Sequence, residues 1–239
     1  MKLAAVGVTN LKMMQTPLQN QSNARIDWDL KNNSHARIQA YWDEKNYPPL
    51  AKDVFETSQE IYLEVGAGSG TFFSQMAQFY PDKFHVAIER DRMRGKALVK
   101  KNKSLGLKNF LGVRGNAIPM LLTGIPSNRL ERLYILYPCP WEKSSQRHNR
   151  WHLSAAMSHL VRILKPGGQL IWASDQKFYI DEAAYVCEKS YGLKVLAFGE
   201  ITPNAYNDLD KFEGGRTKFE RTFLKSGQPC YELIVSKPH

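Results

Sequence analysis

Ile61-Tyr62-Leu63-Glu64-Val65-Gly66-Ala67-Gly68-Ser69-Gly70 is the stretch on which the fold turns. Ile61 to Val65 is a short apolar run bounded by glycines, the pattern of a strand buried on both faces of a parallel sheet. Gly66, Gly68 and Gly70 let the backbone turn sharply and approach a ligand closely, because a side chain there would fill the space. Thr71 to Tyr80 follows with helical periodicity, so a ligand over the glycines would sit at a helix N-terminus, outside the carboxyl end of the first strand. The spacing is not that of a dinucleotide site. That fingerprint is Gly-x-Gly-x-x-Gly, whereas here the glycines alternate and Glu64 stands two residues before the first. A carboxylate there repels a pyrophosphate and suits a cationic or amine-bearing ligand. The plain alternative is a tight strand-to-helix turn with no ligand.

This glycine pattern resembles the first motif of class I S-adenosylmethionine-dependent methyltransferases. Outward from it, the chain alternates strands and helices. Phe84 to Glu89 reads as a second strand, and a carboxylate at its end, Glu89, is placed to accept hydrogen bonds from ribose hydroxyls. Asp91 to Leu105 reads as a helix, and Phe110 to Arg114 as a third strand followed by Asn116. Asn116 would hydrogen-bond an adenine or, equally, cap a turn. Leu130 to Tyr137 makes a fourth strand, and Lys165-Pro166-Gly167-Gly168 precedes a fifth, Gln169 to Ala173. Upstream, residues 1 to about 33 lack periodicity, Ser34 to Asn46 looks helical, and Tyr47-Pro48-Pro49 breaks that helix. The expected organisation is an N-terminal arm and helix over 1–50 and one domain over 51–239.

With 33 Lys and Arg against 23 Asp and Glu, the formal charge is +10, which favours a polyanionic partner such as nucleic acid. Arg90 to Lys103 and Lys143 to Arg150 hold basic clusters, although most charge runs are solvated faces. Cys139, Cys187 and Cys230 are odd in number and widely spaced, as in a reducing, cytoplasmic setting without a disulfide framework. No Cys-x-x-Cys or His-Glu-x-x-His spacing supports a metal site. Leu3 to Val8 is too short for a membrane span and lacks a cleavage site for secretion.

The most unusual stretch follows the fourth strand: Tyr137-Pro138-Cys139-Pro140-Trp141-Glu142-Lys143, then Arg147-His148-Asn149-Arg150-Trp151. Two prolines fix an extended loop at the edge where doubly wound folds place their chemistry. Trp141 offers a flat surface, and Lys143, Arg147 and Arg150 would contact phosphates. Here the chain resembles the bacterial tRNA (guanine-N7)-methyltransferase family, which carries Pro-Asp-Pro-Trp, a lysine and then Arg-His at this point. Ser174-Asp175 after the fifth strand, Arg216-Thr217-Lys218-Phe219-Glu220-Arg221, and Gly227-Gln228-Pro229-Cys230-Tyr231-Glu232-Leu233 extend the similarity over about residues 60 to 236.

The resemblance implies a Rossmann-like α/β fold with a mostly parallel seven-stranded sheet and helices on both faces. The cosubstrate would be S-adenosylmethionine, held with the help of Glu64, Glu89 and Asn116 beside the glycines. The substrate would be tRNA, with Lys143, Asp175 and Thr217, Lys218, Phe219 and Glu220 around the target guanosine and Arg147, His148 and Arg150 near the RNA backbone. No metal is implied, and the protein would be a monomer or weak homodimer. Asp175 or Glu220 would accept from the guanine N1 and N2 donors; Asp175 would alternatively cap the helix Gln176 to Ser190.

Two departures stand out. Cys139 occupies the place of the aspartate usually given a catalytic role, and the spacing from Lys143 to Arg147 is longer than in the family. Guanine N7 carries an in-plane lone pair, so methyl transfer needs no proton removed beforehand. Positioning and stabilisation of developing positive charge then provide most of the acceleration. An aspartate serves that second role and a neutral thiol does not. The alternatives to an active enzyme are a weak paralogue that binds RNA, or a methyltransferase with a changed substrate.

Overall fold

The computed structural model describes residues 52–239; the expected arm and the helix over 34–46 lie outside the described residues. Among the described residues, the strands β1 Ile61–Val65, β2 Phe84–Glu89, β3 Phe110–Arg114, β4 Leu130–Leu136, β5 Leu164–Ser174, β6 Lys194–Glu200 and β7 Tyr231–Ser236 form one seven-stranded sheet. Its order is β3-β2-β1-β4-β5-β7-β6. β1 to β5 are parallel, and β7 runs antiparallel to β5 and β6. The longer helices are α1 Thr71–Phe79, α2 Arg92–Leu105, α3 Ala156–Ile163, α4 Lys177–Tyr191 and α5 Lys218–Lys225.

Every residue of β1 is buried, which is why its sequence is an apolar run and not an alternation. The side chains nonetheless alternate between two cores. Leu63, Val86, Leu133 and Trp172 meet Met157 and Leu160 of α3 and Tyr179 and Ile180 of α4 on one face. Tyr62, Ala87, Tyr134 and Ile171 meet Phe72, Phe73 and Met76 of α1 and Leu98 of α2 on the other. Helices therefore cover both faces. Each large apolar side chain sequestered in this way contributes about 1.5–3 kcal/mol.

Two features position the site. Strand order reverses beside β1, whose neighbours are β2 and β4, and a doubly wound fold opens its ligand crevice at such a switch point. In addition, Tyr231 at the start of β7 pairs with Ser174 at the end of β5. The antiparallel strand thus returns α5 to the same edge as the carboxyl ends of β1 to β5. The fifth strand also starts earlier than the sequence suggests. Leu130 pairs with Leu164 and Arg132 with Gln169, so Lys165 to Gly168 forms an irregularity inside β5. Gly168 is needed there, since a Cβ would fall 2.8 Å from the carbonyl oxygens of Leu130 and Lys165.

Candidate active site

The glycines divide their work. Gly66, Gly68 and Gly70 all have positive φ, at 83°, 57° and 74°. A Cβ built on Gly66 or Gly68 would meet nothing within 4 Å, whereas one on Gly70 would fall 2.3 Å from Leu98 Cδ1. The first two thus expose backbone toward open space, and the third lets the chain press against α2. The loop is pinned from β2: Gly66 and Ala67 donate to the Ile88 carbonyl at 2.8 and 3.0 Å. Glu89 Oε2 accepts from the Gly68 N–H at 2.8 Å, and its Oε1 accepts from the Asp91 N–H at 2.7 Å. Sequence reasoning missed this shaping role of Glu89. It leaves each carboxylate oxygen capacity for a second donor.

Glu64 lies on β1 beneath this loop, only 3% exposed, and its Oε2 has no hydrogen-bond partner among the described residues. Burial, reinforced by the charge of Glu89 and opposed by Arg216, pushes its carboxyl up to about 8. A buried carboxylate without a partner is costly when ionised, and a cation seated against it would reverse that cost. The open glycine backbone and this orphaned oxygen therefore fit a ligand carrying positive charge.

The shift also has a stability consequence. The folded protein keeps a proton at Glu64 that the unfolded chain releases near its ordinary value of 4.5, so stability falls as pH rises between there and about 8. Glu64→Gln removes that titration. The ligand-free variant should exceed wild type by at least about 1 kcal/mol at pH 9 in urea unfolding, with no such gain at pH 4. Equal midpoints at pH 9 would mean that the folded protein already compensates the charge.

Asn116 caps the short helix Ala117–Pro119, its side chain accepting from the Ile118 N–H at 3.2 Å, so the capping role is realised. Its amide nitrogen remains a separate donor group for a ligand.

In the loop after β4, Tyr137 and Trp141 have φ of 52° and 47° and bracket Pro138, Cys139 and Pro140. Such strain in non-glycine residues persists only where surroundings impose it. Arg150 imposes it here, which corrects its expected role at the RNA backbone. Only 7% exposed, its guanidinium donates to the carbonyls of Pro140, Trp141 and Glu142 and pairs with Glu182 at 2.6 Å. Burial alone would raise the Glu182 carboxyl, but His152 and Arg150 outweigh it and hold it below the ordinary range. Arg150 is thus a positioning residue. Cys139 is exposed at the tip of the loop it braces. Lys143 and His148 are exposed and Arg147 is half-buried. The longer spacing between Lys143 and Arg147 is absorbed by a short 3₁₀ helix, Ser144–Asn149.

Glu220 is the second correction. Expected to face the guanine, it is fully buried and bound to Arg216, with Nη2 to Oε1 at 2.7 Å, while the Tyr137 hydroxyl donates to Oε1 at 3.0 Å. Desolvation would raise its carboxyl, yet the Arg216 charge prevails and lowers it. The ion pair consumes the oxygens that would have read the base and ties α5 to the loop after β4.

What α5 does present is its first turn. Thr217 caps it, Oγ1 accepting from the Glu220 N–H at 3.0 Å, and Lys218 and Phe219 point outward, Phe219 57% exposed. Phe219 stacks on Tyr137 with centroids 6.3 Å apart. Asp175 is half-buried and does not cap α4; Gln176 holds that position, and its backbone N–H donates to Ser174 Oγ at 3.0 Å. Burial raises the Cys230 thiol pKa, opposed by a hydrogen bond with Tyr137 and reinforced by the charges of Glu220 and Asp175. Glu64, Glu89, Asn116, Cys139 and Asp175 thus stand at or just beyond the carboxyl ends of parallel strands, Lys143 follows further along the loop after β4, and β7 returns the first turn of α5, with Thr217, to that edge. No helix among the described residues is long and apolar enough to cross a membrane, and no three metal-ligating side chains converge there.

A family model described as "Putative methyltransferase" matches residues 58–233. The chain is 31% identical over 186 residues to the tRNA (guanine-N(7)-)-methyltransferase of Alcanivorax borkumensis, covering 78% of this chain and 76% of that protein. It is 29% identical over 179 residues to the protein of the same name from Latilactobacillus sakei, covering 75% and 82%. Among solved structures, the 16S rRNA methyltransferase KamB superposes with a TM-score of 0.57 at 18% identity, over 78% of this chain and 92% of that chain, a likeness of fold. Length of match and degree of identity agree: the chain belongs to the tRNA (guanine-N(7)-)-methyltransferase family.

Proposed function

We propose that the protein transfers a methyl group from S-adenosylmethionine to N7 of a guanine in tRNA. The observation that carries this reading is the orphaned, buried Glu64 oxygen beneath an open glycine backbone. It fits a cationic cosubstrate at the edge that also bears the loop of Cys139 and the first turn of α5. S-adenosylmethionine supplies a methyl group bound to a positively charged sulfur. Glu64 lies against its cationic part, Gly66 and Gly68 admit it to the backbone, Glu89 accepts from the ribose hydroxyls, and Asn116 bonds the adenine.

On the other side of the reacting atoms, Asp175 accepts from the guanine N1 and N2 donors, and Thr217 and Lys218 serve its ribose or phosphate. Phe219 offers an exposed ring for stacking, and Lys143, Arg147 and His148 contact the backbone. The N7 lone pair attacks the methyl carbon, the carbon–sulfur bond breaks toward sulfur, and the positive charge moves to the base. No proton is abstracted beforehand. Alignment by these residues therefore accounts for most of the acceleration.

Single-turnover transfer from labelled S-adenosylmethionine to unmodified tRNA tests this, with the product base identified by mass. N7-methylguanine is expected; bound cosubstrate without a labelled base across a broad tRNA pool would overturn the reading. Thr217→Ala should lower kcat/KM for tRNA by roughly three- to tenfold, the loss of one hydrogen bond, with cosubstrate affinity nearly unchanged. Equal losses of both would place Thr217 outside the substrate pocket.

A further inference from the structure

Arg92, Lys96, Lys100 and Lys103 of α2 are spaced by four, four and three residues, so they line one side of the helix in a row about 16 Å long. All four are exposed, while Gly95 and Leu98 on another side are buried. Their neighbours are otherwise engaged: Arg94 pairs with Asp91 at 3.6 Å, and Lys101 donates to Thr71 Oγ1 at 2.8 Å. Among the described residues, the four in the row form no ion pair.

The row works against the helix that carries it. Like charges four residues apart destabilise a helix by about 0.2–0.5 kcal/mol per pair. The first turn has no acidic residue, and the N-cap carboxylate of Asp91 is taken up by the Met93 and Arg94 N–H groups and the Arg94 side chain, so Arg92 stands without an anionic partner near the positive end of the helix dipole. A polyanion laid along the row would remove both costs. Its position relative to the active edge points to which polyanion. The head of α2 follows Glu89 at the carboxyl end of β2, and β2 is separated from β4 only by β1. At about 4.8 Å between strands, the row starts on the order of 10 Å along the sheet from the loop after β4. That loop carries Lys143, Arg147 and His148, and its Arg150 pairs with Glu182 of α4, on the face opposite to the one α2 covers, so a backbone that touches both has to cross the carboxyl edge.

We propose that the row is a second track for the phosphodiester backbone of the substrate tRNA, which crosses the carboxyl edge and continues down the flank of the domain along α2. This rests on the tRNA reading above. The track carries affinity and orientation, not base identity, since phosphate contacts hold no sequence information.

Lys96→Gln/Lys100→Gln tests it against Lys189→Gln/Lys194→Gln, which removes the same charge from exposed positions on α4 and β6. Binding of unmodified tRNA would be measured over a range of salt, with S-adenosylmethionine affinity and thermal unfolding alongside. The α2 variant should bind tRNA on the order of tenfold more weakly at 0.15 M salt, with a log–log salt slope shallower by about 2. Its cosubstrate affinity and unfolding temperature should not fall, and the control should bind like wild type. Unchanged tRNA binding in the α2 variant, or equal loss in the control, would overturn the track. Because the readout is binding, a wild type that binds tRNA through α2 but yields no N7-methylguanine would refute the activity alone.

Discussion

Replacing Arg216 by Ala should cost about 3–5 kcal/mol of folding stability. The side chain is fully buried; Nη2 meets Glu220 at 2.7 Å and Nη1 meets Glu232 at 2.6 Å. Asn207 adds a donor to the other Glu232 oxygen at 2.8 Å. Without the guanidinium, two carboxylates remain in a low-dielectric core near Glu64, whose own ionisation Arg216 favours. Breaking one partner of such a cluster is costly because it leaves charge behind, whereas replacing the whole cluster by apolar residues need not be. At 2–4 °C per kcal/mol for a domain of this size, the melting temperature should drop on the order of 10 °C. The deficit should also be larger at pH 8 than at pH 5: the Arg216 charge is what holds the Glu220 carboxyl low against desolvation, and without it Glu220 takes up a proton more readily at the lower pH. Arg216→Lys keeps the charge but not the fork and should fall between. Urea unfolding at both pH values decides this. A loss below about 1 kcal/mol at pH 8 would show that the cluster does not hold α5 to the sheet.

Cys139→Asp should accelerate the methyl-transfer step on the order of tenfold, with tRNA affinity little changed. Charge develops on the guanine as N7 is methylated, and a fixed carboxylate beside it stabilises the transition state more than the ground state. The larger effects known for buried electrostatic groups are reduced here by the exposure of the loop. The substitution should be accommodated without repacking, because Cys139 is exposed and the loop is held by Arg150 through main-chain carbonyls, not through the thiol. Single-turnover rates at saturating S-adenosylmethionine are the measurement, with Cys139→Ala as the reference. A rate for the aspartate variant no higher than that of the alanine variant would remove the electrostatic account and leave alignment as the sole source of rate.

The alternating glycines after a buried strand, the carboxylate ending the second strand and the positions of the first four strands were legible in the sequence. Each follows from local chemistry: apolar runs that must be buried, and left-handed turns that only glycine adopts cheaply. The loop after β4 was legible as a distinctive stretch, because two prolines and a run of cations at a strand end are unusual. What its individual cations do was not. Arg147 and Arg150 read alike as residue types three positions apart, yet one is half-buried and the other sunk against Glu182 and three carbonyls. Glu220 likewise read as a base-facing carboxylate; Arg216, four residues before it, was always within reach, and the burial of both, with Glu232 on β7 and Tyr137 after β4, is what commits Glu220 to that pair.

The sequence by itself therefore determined the doubly wound fold and the edge where its chemistry lies, since those depend on periodicity and turn geometry along a continuous stretch. The tertiary structure decided which charged residues stay exposed at that edge and which are buried as braces. That choice depends on burial and on partners distant in the chain, such as Glu182 for Arg150 and Glu232 for Arg216, and desolvation compels a buried charge to take such a partner wherever the fold provides one.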